Sequence, residues 1–178
     1  GYYEAAARGA RKRSARYNVP IYRRPDDLVS VNLGVFSKEF RGRTIAGRVR
    51  GGRLVPYADR RRIARGGLKN RALEILWLDD PVDAFFMEIQ GSGRVRMDDG
   101  SVVRVGFAAK NGHPYTAIGR VLVEMGAMDL GQVSMQSIRA WLAAHPAKAR
   151  AVMERNKSYV FFREITGDGP IGAEGVAL

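Results

Sequence analysis

The chain has no cysteine, and only two histidines and two tryptophans in 178 residues. The first absence excludes disulfides and thiolate metal sites. It leaves the compartment open, because exported bacterial proteins often lack cysteine too. His113 and His145 are far apart in sequence, and two distant imidazoles without cysteine do not make a metal site. No motif calls for a cofactor. Long apolar runs are also missing: Ala84–Met87 and Val121–Val123 fall far short of the roughly 20 residues a membrane-spanning helix needs. No transmembrane segment is expected. Neither a signal peptide nor a lipid-attachment cysteine occurs, so targeting segments are expected outside this stretch of sequence.

Acidic residues are scarce beside basic ones, 18 against 30, for a net charge of +12. The excess is concentrated. Arg8, Arg11, Lys12, Arg13, Arg16, Arg23 and Arg24 form one cluster, and residues 41–71 carry eleven basic residues against the single acid Asp59. Such surfaces steer polyanions from a distance. Nucleic acid and murein both qualify, the latter through its lactyl and peptide carboxylates. A solvated cationic face with no partner is the plainer reading.

What is present is an apolar content of 46%, ordinary for a globular protein, with length for one main domain. Residues 5–18, alanine and arginine, read as a short surface helix. From Leu28 the pattern alternates, Val29, Val31, Leu33 and Val35 against Ser30, Asn32 and Gly34, as in a half-buried strand. Thr44–Arg50 and Arg53–Tyr57 flank Gly51-Gly52, the chemistry of a two-residue hairpin. Ala58–Arg65 reads as a polar helix ended by Gly66-Gly67. Ala72–Leu78 suits helix or strand, and Asp79-Asp80-Pro81 stops it.

Ala84–Gln90, Arg94–Met97 and Val102–Ala108 read as strands, the last two joined by Asp98-Asp99-Gly100. Helical spacing then takes over, from Pro114 to Gly126, from Ser134 to Ala144, and from Pro146 to near Asn156. Tyr159–Arg163 returns to strand. The sum is a mainly β, α+β chain, with a small closed or nearly closed barrel and about three packed helices.

Two stretches carry the chemistry. Gln90-Gly91-Ser92-Gly93 and Lys110-Asn111-Gly112-His113-Pro114-Tyr115 put amide, hydroxyl and small groups beside apolar runs, which suits a scaffold presenting hydrogen bonds to a polar neutral ligand such as a sugar chain. The competing reading makes Gly91-Ser92-Gly93 only a bulge or bend in a strand. Carboxylates offer little: Asp79, Asp80 and Asp83 around Pro81 suit a turn or helix cap, Glu88 a solvated strand face, and Asp98 and Asp99 a turn. His113 suits capping and His145 a structural helix junction. Trp77 and Trp141 suit the core. Ser92 has no nearby histidine to activate it.

Phe85–Arg96 with Lys110–Tyr115, Ser134–Trp141 and Asn156–Phe162 resembles the MltA family of membrane-bound lytic murein transglycosylases. Gly1–Glu4, Pro20–Tyr22 and Gly172–Val176 match the same family in the same order, so the likeness spans nearly the whole chain. Ala5 and Ala177 depart from its usual prolines, and Arg60–Arg62 replaces a segment that often carries a glutamate.

The resemblance implies a parent enzyme, a carbon–oxygen lyase that cleaves the β-1,4 bond between N-acetylmuramic acid and N-acetylglucosamine to a 1,6-anhydromuramyl product. It implies a double-psi β-barrel interrupted by an inserted β-rich domain. Residues 1–4 resemble the barrel's border, 5–166 the insert and 167–178 the return. The family's single catalytic aspartate lies in a glycine-rich motif that nothing here matches, so no catalytic residue is expected in this chain and no turnover by it alone.

The implied partners are a peptidoglycan glycan strand and the catalytic double-psi barrel, and the implied compartment is the periplasm, with the parent anchored at the outer membrane. Substrate binding falls to Tyr3, Gln90, Gly91, Ser92, Gly93, Lys110, Asn111 and Tyr115. Tyr3, Gln90 and Ser92 lie nearest the groove by resemblance, the others by loop position. This reading needs Gln90 and Ser92 open to solvent. Two rivals remain: a basic β-barrel binding RNA or single-stranded DNA, disfavoured because few aromatics interleave with the arginines, and a self-sufficient hydrolase using Asp83 and Glu88.

Overall fold

A computed structural model describes residues 5–167. In chain order its strands are β1 (Ala5–Ala10), β2 (Val19–Tyr22), β3 (Val29–Asn32), β4 (Thr44–Arg50), β5 (Arg53–Pro56), β6 (Glu74–Leu78), β7 (Ser92–Met97), β8 (Val102–Lys110) and β9 (Val160–Ile165). The α-helices are α1 (Arg60–Arg62), α2 (Pro81–Gln90), α3 (Ile118–Glu124), α4 (Met135–Ala144) and α5 (Pro146–Met153). The described residues divide into two compact units where one main domain was expected: 5–26, 68–110 and 160–167 form the first, 27–67 and 111–159 the second. The second unit leaves the first between β2 and β6 and again between β8 and β9.

The first unit is a six-stranded sheet in the order β2-β6-β1-β7-β8-β9, with β1 and β7 parallel and the other neighbours antiparallel. Its end strands, β2 and β9, approach each other without forming a ladder, so the sheet is nearly closed. Alternation builds the inside: Val95 and Met97 are buried while Arg94 and Arg96 between them face water. Leu76, Leu78, Val105 and Phe162 join them, and Ala84 and Met87 of α2 pack into the same cluster.

Residues 5–10 are a central strand, not the start of a surface helix. Gly9 answers to crowding. A Cβ on Gly9 would meet Val95 Cγ1 at 2.7 Å and the Trp77 carbonyl oxygen at 2.9 Å. Residues 84–90 are helical, not a strand: Asp80 Oδ1 accepts the Val82 N–H at 2.8 Å, Pro81 opens the helix, and Gly91 closes it at φ 77°.

The second unit has the antiparallel sheet β3-β4-β5 with α1, α3, α4 and α5. Gly51 and Gly52 turn the β4–β5 hairpin with φ of 56° and 75°, as their chemistry demands. The strand expected through Val35 ends at Asn32, whose side chain accepts the Gly34 N–H and starts a 3-10 turn that leaves Val35 exposed. Ser134 and Ser137 cap α4 reciprocally. Helix α3 begins at Ile118, four residues after Pro114, because His113 and Thr116 are engaged in the buried contacts described below. Helix α1 falls within the helix expected over Ala58–Arg65, and α3, α4 and α5 stand for the three packed helices expected, so α2 is the one not foreseen.

Candidate functional site

Gln90 is the last residue of α2, Gly91 its left-handed cap, and Ser92 the first residue of β7. The Gly91 N–H donates to the Met87 carbonyl at 2.9 Å, so the corner is fixed by the helix's own hydrogen bonds. Gly91 is required by its φ alone, since a Cβ there would meet nothing within 4 Å. The Gly91-Ser92-Gly93 bend is therefore a helix-to-strand corner with free space above it. Ser92 pairs with Gly106 of β8, and Gly93 with Ala5 of β1.

The expected contacts separate on burial. Gln90 and Gly91 are partly exposed, and Lys110, at the end of β8, is exposed. Ser92, expected to face a ligand, is 5% exposed, even though alternation along β7 puts it on the same face as Arg94 and Arg96. Gly93 is buried beside it. Tyr3 lies outside the described residues. Tyr115 belongs to the second unit and is 55% exposed.

Asn111, also of the second unit, is 0% exposed and works as a brace. Its Nδ2 donates to the carbonyls of Ala58 and Lys157, each at 3.0 Å. Its Oδ1 accepts the N–H groups of Tyr159 at 2.9 Å and His113 at 3.2 Å. Two donors and two acceptor positions are thereby filled, which leaves nothing for a ligand. His113, expected to cap a helix, does not: its Nε2 sits 2.5 Å from the Tyr57 carbonyl, and α3 starts after Ala117.

The same buried knot holds three polar residues given no role above. Asn156 Oδ1 accepts the N–H groups of Thr116 and Ser158. Arg60, counted among a solvated arginine run, is buried: Nε donates to the Asn156 carbonyl at 2.9 Å, Nη2 to the Ser158 carbonyl at 2.6 Å, and the guanidinium lies 5.2 Å from the Tyr159 ring centroid. The sequence signal was Asn156-Lys157-Ser158-Tyr159 itself, polar residues running straight into the apolar strand β9.

Several carboxylates are engaged within the fold itself. Asp80 caps α2 and Asp83 lies in its first turn. Asp99 Oδ1 accepts the N–H and the hydroxyl of Ser101 at 2.8 and 2.6 Å, which holds its carboxyl below the usual carboxylate range. Glu88, expected on a solvated strand face, is half-buried on α2, and its Oε1 accepts the Val160 N–H at 2.8 Å. Among the described residues no group of three or more His, Asp or Glu is placed to hold a metal.

Trp77 and Trp141, expected in the core, are half-buried: the Arg13 guanidinium lies over Trp77 at 5.8 Å, and Trp141 stacks on His145 at 4.3 Å. The first basic cluster is partly neutralised within the fold, Arg11 by Glu164 at 2.9 Å and Arg16 by Asp79 at 3.9 Å. No helix among the described residues is long and apolar enough to cross a membrane.

The family profile described as the MltA specific insert domain matches residues 1–163. The membrane-bound lytic murein transglycosylase A of Escherichia coli K12 is 31% identical over 180 residues, covering 100% of this chain and 42% of that protein. A solved membrane-bound lytic murein transglycosylase from Agrobacterium tumefaciens superimposes with a TM-score of 0.87 at 38% identity, covering 99% of this chain and 49% of that one. E. coli MltA crystallised with bound chitohexaose gives a TM-score of 0.76 at 30% identity, over 100% of this chain and 46% of that one. The chain thus spans less than half the length of each of these relatives, and it belongs to the MltA family, whose specific insert domain it matches.

Proposed function

We propose that this chain grips the aminosugar polymer for a murein lytic transglycosylase, with the α2–β7 corner as its contact surface. The observation that carries the reading is the Gln90-Gly91 pair: a partly exposed amide on a rigid helix end, beside a glycine with open space above it. A carboxamide can donate to and accept from sugar hydroxyls and N-acetyl groups at once. Gly91 and Gly93 let the backbone come close, exposed Lys110 reaches a carbonyl or lactyl carboxylate, and Tyr115 stacks on a pyranose face from its own unit. Tyr3 belongs to the same proposal. Ser92 and Asn111 act behind this surface, as supports of the corner and of the 111–115 loop. The bound chitohexaose of the E. coli relative favours a neutral glycan as ligand.

In this reading the domain proper is residues 5–166, and residues 1–4 and 167–178 lead to a double-psi barrel that supplies a single catalytic aspartate. That aspartate protonates the leaving glycosidic oxygen. It then takes the proton of the muramyl 6-hydroxyl as this oxygen attacks its own anomeric carbon, closing the 1,6-anhydro ring without water. Such a reaction needs positioning more than a second acid, because the nucleophile is part of the substrate. The commitment of Asp80, Asp99 and Glu88 to caps, turns and a backbone N–H supports placing the acid elsewhere. The periplasm, with an outer-membrane anchor on the parent, is the proposed location. Titration with chitohexaose at high salt tests the reading: affinity persists in the native chain and falls on Gln90→Ala.

A further inference from the structure

The second unit carries a shallow depression of about 420 Å3 lined by Asp59, Arg61, Arg62, Arg65, Gly66 and Gly67. Its charge is unbalanced. Arg61 and Arg65 reach one carboxylate oxygen of Glu154 at 3.9 and 3.8 Å, and Arg150 holds the other oxygen at 3.1 Å, so three guanidinium groups share one acid whose side chain is only 12% exposed. Asp59 on the wall is already occupied, since its Oδ1 accepts the Arg62 N–H at 2.9 Å. The Arg62 guanidinium has no ion-pair partner among the described residues and is exposed to solvent. Two glycines complete the surface: Gly66 sits at φ 93°, and a Cβ on Gly67 would lie 2.7 Å from the Arg62 carbonyl oxygen.

We propose that this depression is an anion subsite that takes a carboxylate of the peptide stems borne by murein, with Arg62 as its principal donor and Arg61 and Arg65 as its flanks. The inference rests on the glycan-gripping reading for the identity of the polymer, but uses a different surface and a different chemistry. A guanidinium presents paired N–H groups that match a carboxylate, and charge-assisted bonds of this kind are the strong ones. The weak, long contacts of Arg61 and Arg65 to Glu154 leave both able to turn toward an incoming anion. A neutral chitooligosaccharide gives the depression nothing to bind.

The test compares the whole protein's affinity for peptide-bearing glycan strands, for the same strands stripped of peptide by an amidase, and for chitohexaose. The native protein should prefer peptide-bearing strands. The triple substitution Arg61→Ala, Arg62→Ala, Arg65→Ala and the single Arg62→Glu should each weaken that binding roughly tenfold and flatten its salt dependence, with chitohexaose binding and thermal unfolding unchanged. Loss of chitohexaose binding in the native protein, with the arginine-dependent preference for peptide-bearing strands intact, would sink the sugar-gripping corner and leave the anion subsite standing. Equal native affinity for peptide-bearing and stripped strands would overturn the subsite. So would a preference that survives both variants, or single-stranded RNA displacing peptide-bearing strands at lower concentration than stripped-off peptide does.

Discussion

Asn111 and Tyr159 hold each other by two hydrogen bonds: the Asn111 N–H donates to the Tyr159 carbonyl at 3.0 Å, and the Tyr159 N–H donates to Asn111 Oδ1 at 2.9 Å. The pair works like a strand ladder continued by a side chain. It fastens the loop after β8 to the segment before β9, while the other end of the amide ties in Ala58 and Lys157. Replacing Asn111 with alanine removes the side-chain partner of the Ala58 carbonyl and of the Tyr159 and His113 N–H groups, while the Lys157 carbonyl keeps the Arg60 N–H. The expected cost is about 2–4 kcal/mol of unfolding free energy, read from a denaturant midpoint. A loss below about 0.5 kcal/mol, the range of an ordinary surface change, would contradict the bracing role.

Gly91 and Gly112 both need positive φ, 77° and 90°, but for different neighbours. Space surrounds Gly91, whereas a Cβ on Gly112 would sit 2.8 Å from both Cβ and the carbonyl oxygen of Ala46. Gly91→Ala should therefore cost about 1 kcal/mol for the left-handed backbone alone. Gly112→Ala should cost visibly more, because β4 must shift as well. Paired thermal melts of the two variants decide it, and equal destabilisation would show that the clash is relieved without cost.

Tyr22 is buried in β2 opposite Glu74, and burial first, then the carboxylate's charge, push its phenol from 10.0 up to about 12. The raised value means that the folded state holds its proton longer than the unfolded chain does. Stability from this group is full below pH 10 and drains away as pH rises toward about 12. Following phenolate absorbance through that window should show a late-titrating component, and Tyr22→Phe should diminish it. A single titration of all tyrosines near pH 10 would contradict the burial argument.

Several elements were legible because their signals are local. Gly51-Gly52 could make only a tight hairpin, Asp98-Asp99-Gly100 a turn, and Ser134 a helix cap, and all three stand where the residues put them. Helix α2 was misread because Phe85-Phe86-Met87 is buried nearly all round, which erases the 3.6-residue period. Asp80-Pro81 at one end and Gly91 at the other were the better guide. Strand β1 was hidden for the opposite reason: Gly9 serves a crowded sheet centre that only the tertiary fold creates.

The site was half legible. That Gln90 and Gly91 form a rigid, open corner follows from the helix signals once read correctly, but the burial of Ser92 runs against the alternation that exposes Arg94 and Arg96, and the full occupation of Asn111 depends on partners 46 to 53 residues away. No pattern of neighbours in sequence reports either. Likewise the division of Arg60 from Arg61 and Arg62, one buried and two exposed, is set by where the carbonyls of Asn156 and Ser158 lie.

The central claim is a sugar grip at the end of α2, and titration of Gln90→Ala with chitohexaose at high salt tests it most directly. Loss of a shared amide should weaken binding about tenfold with stability unchanged, while amide resonances of Gln90 to Gly93 in the native chain shift on adding the sugar. Unaltered affinity in the variant, with ligand-induced shifts confined to other parts of the fold, would contradict it.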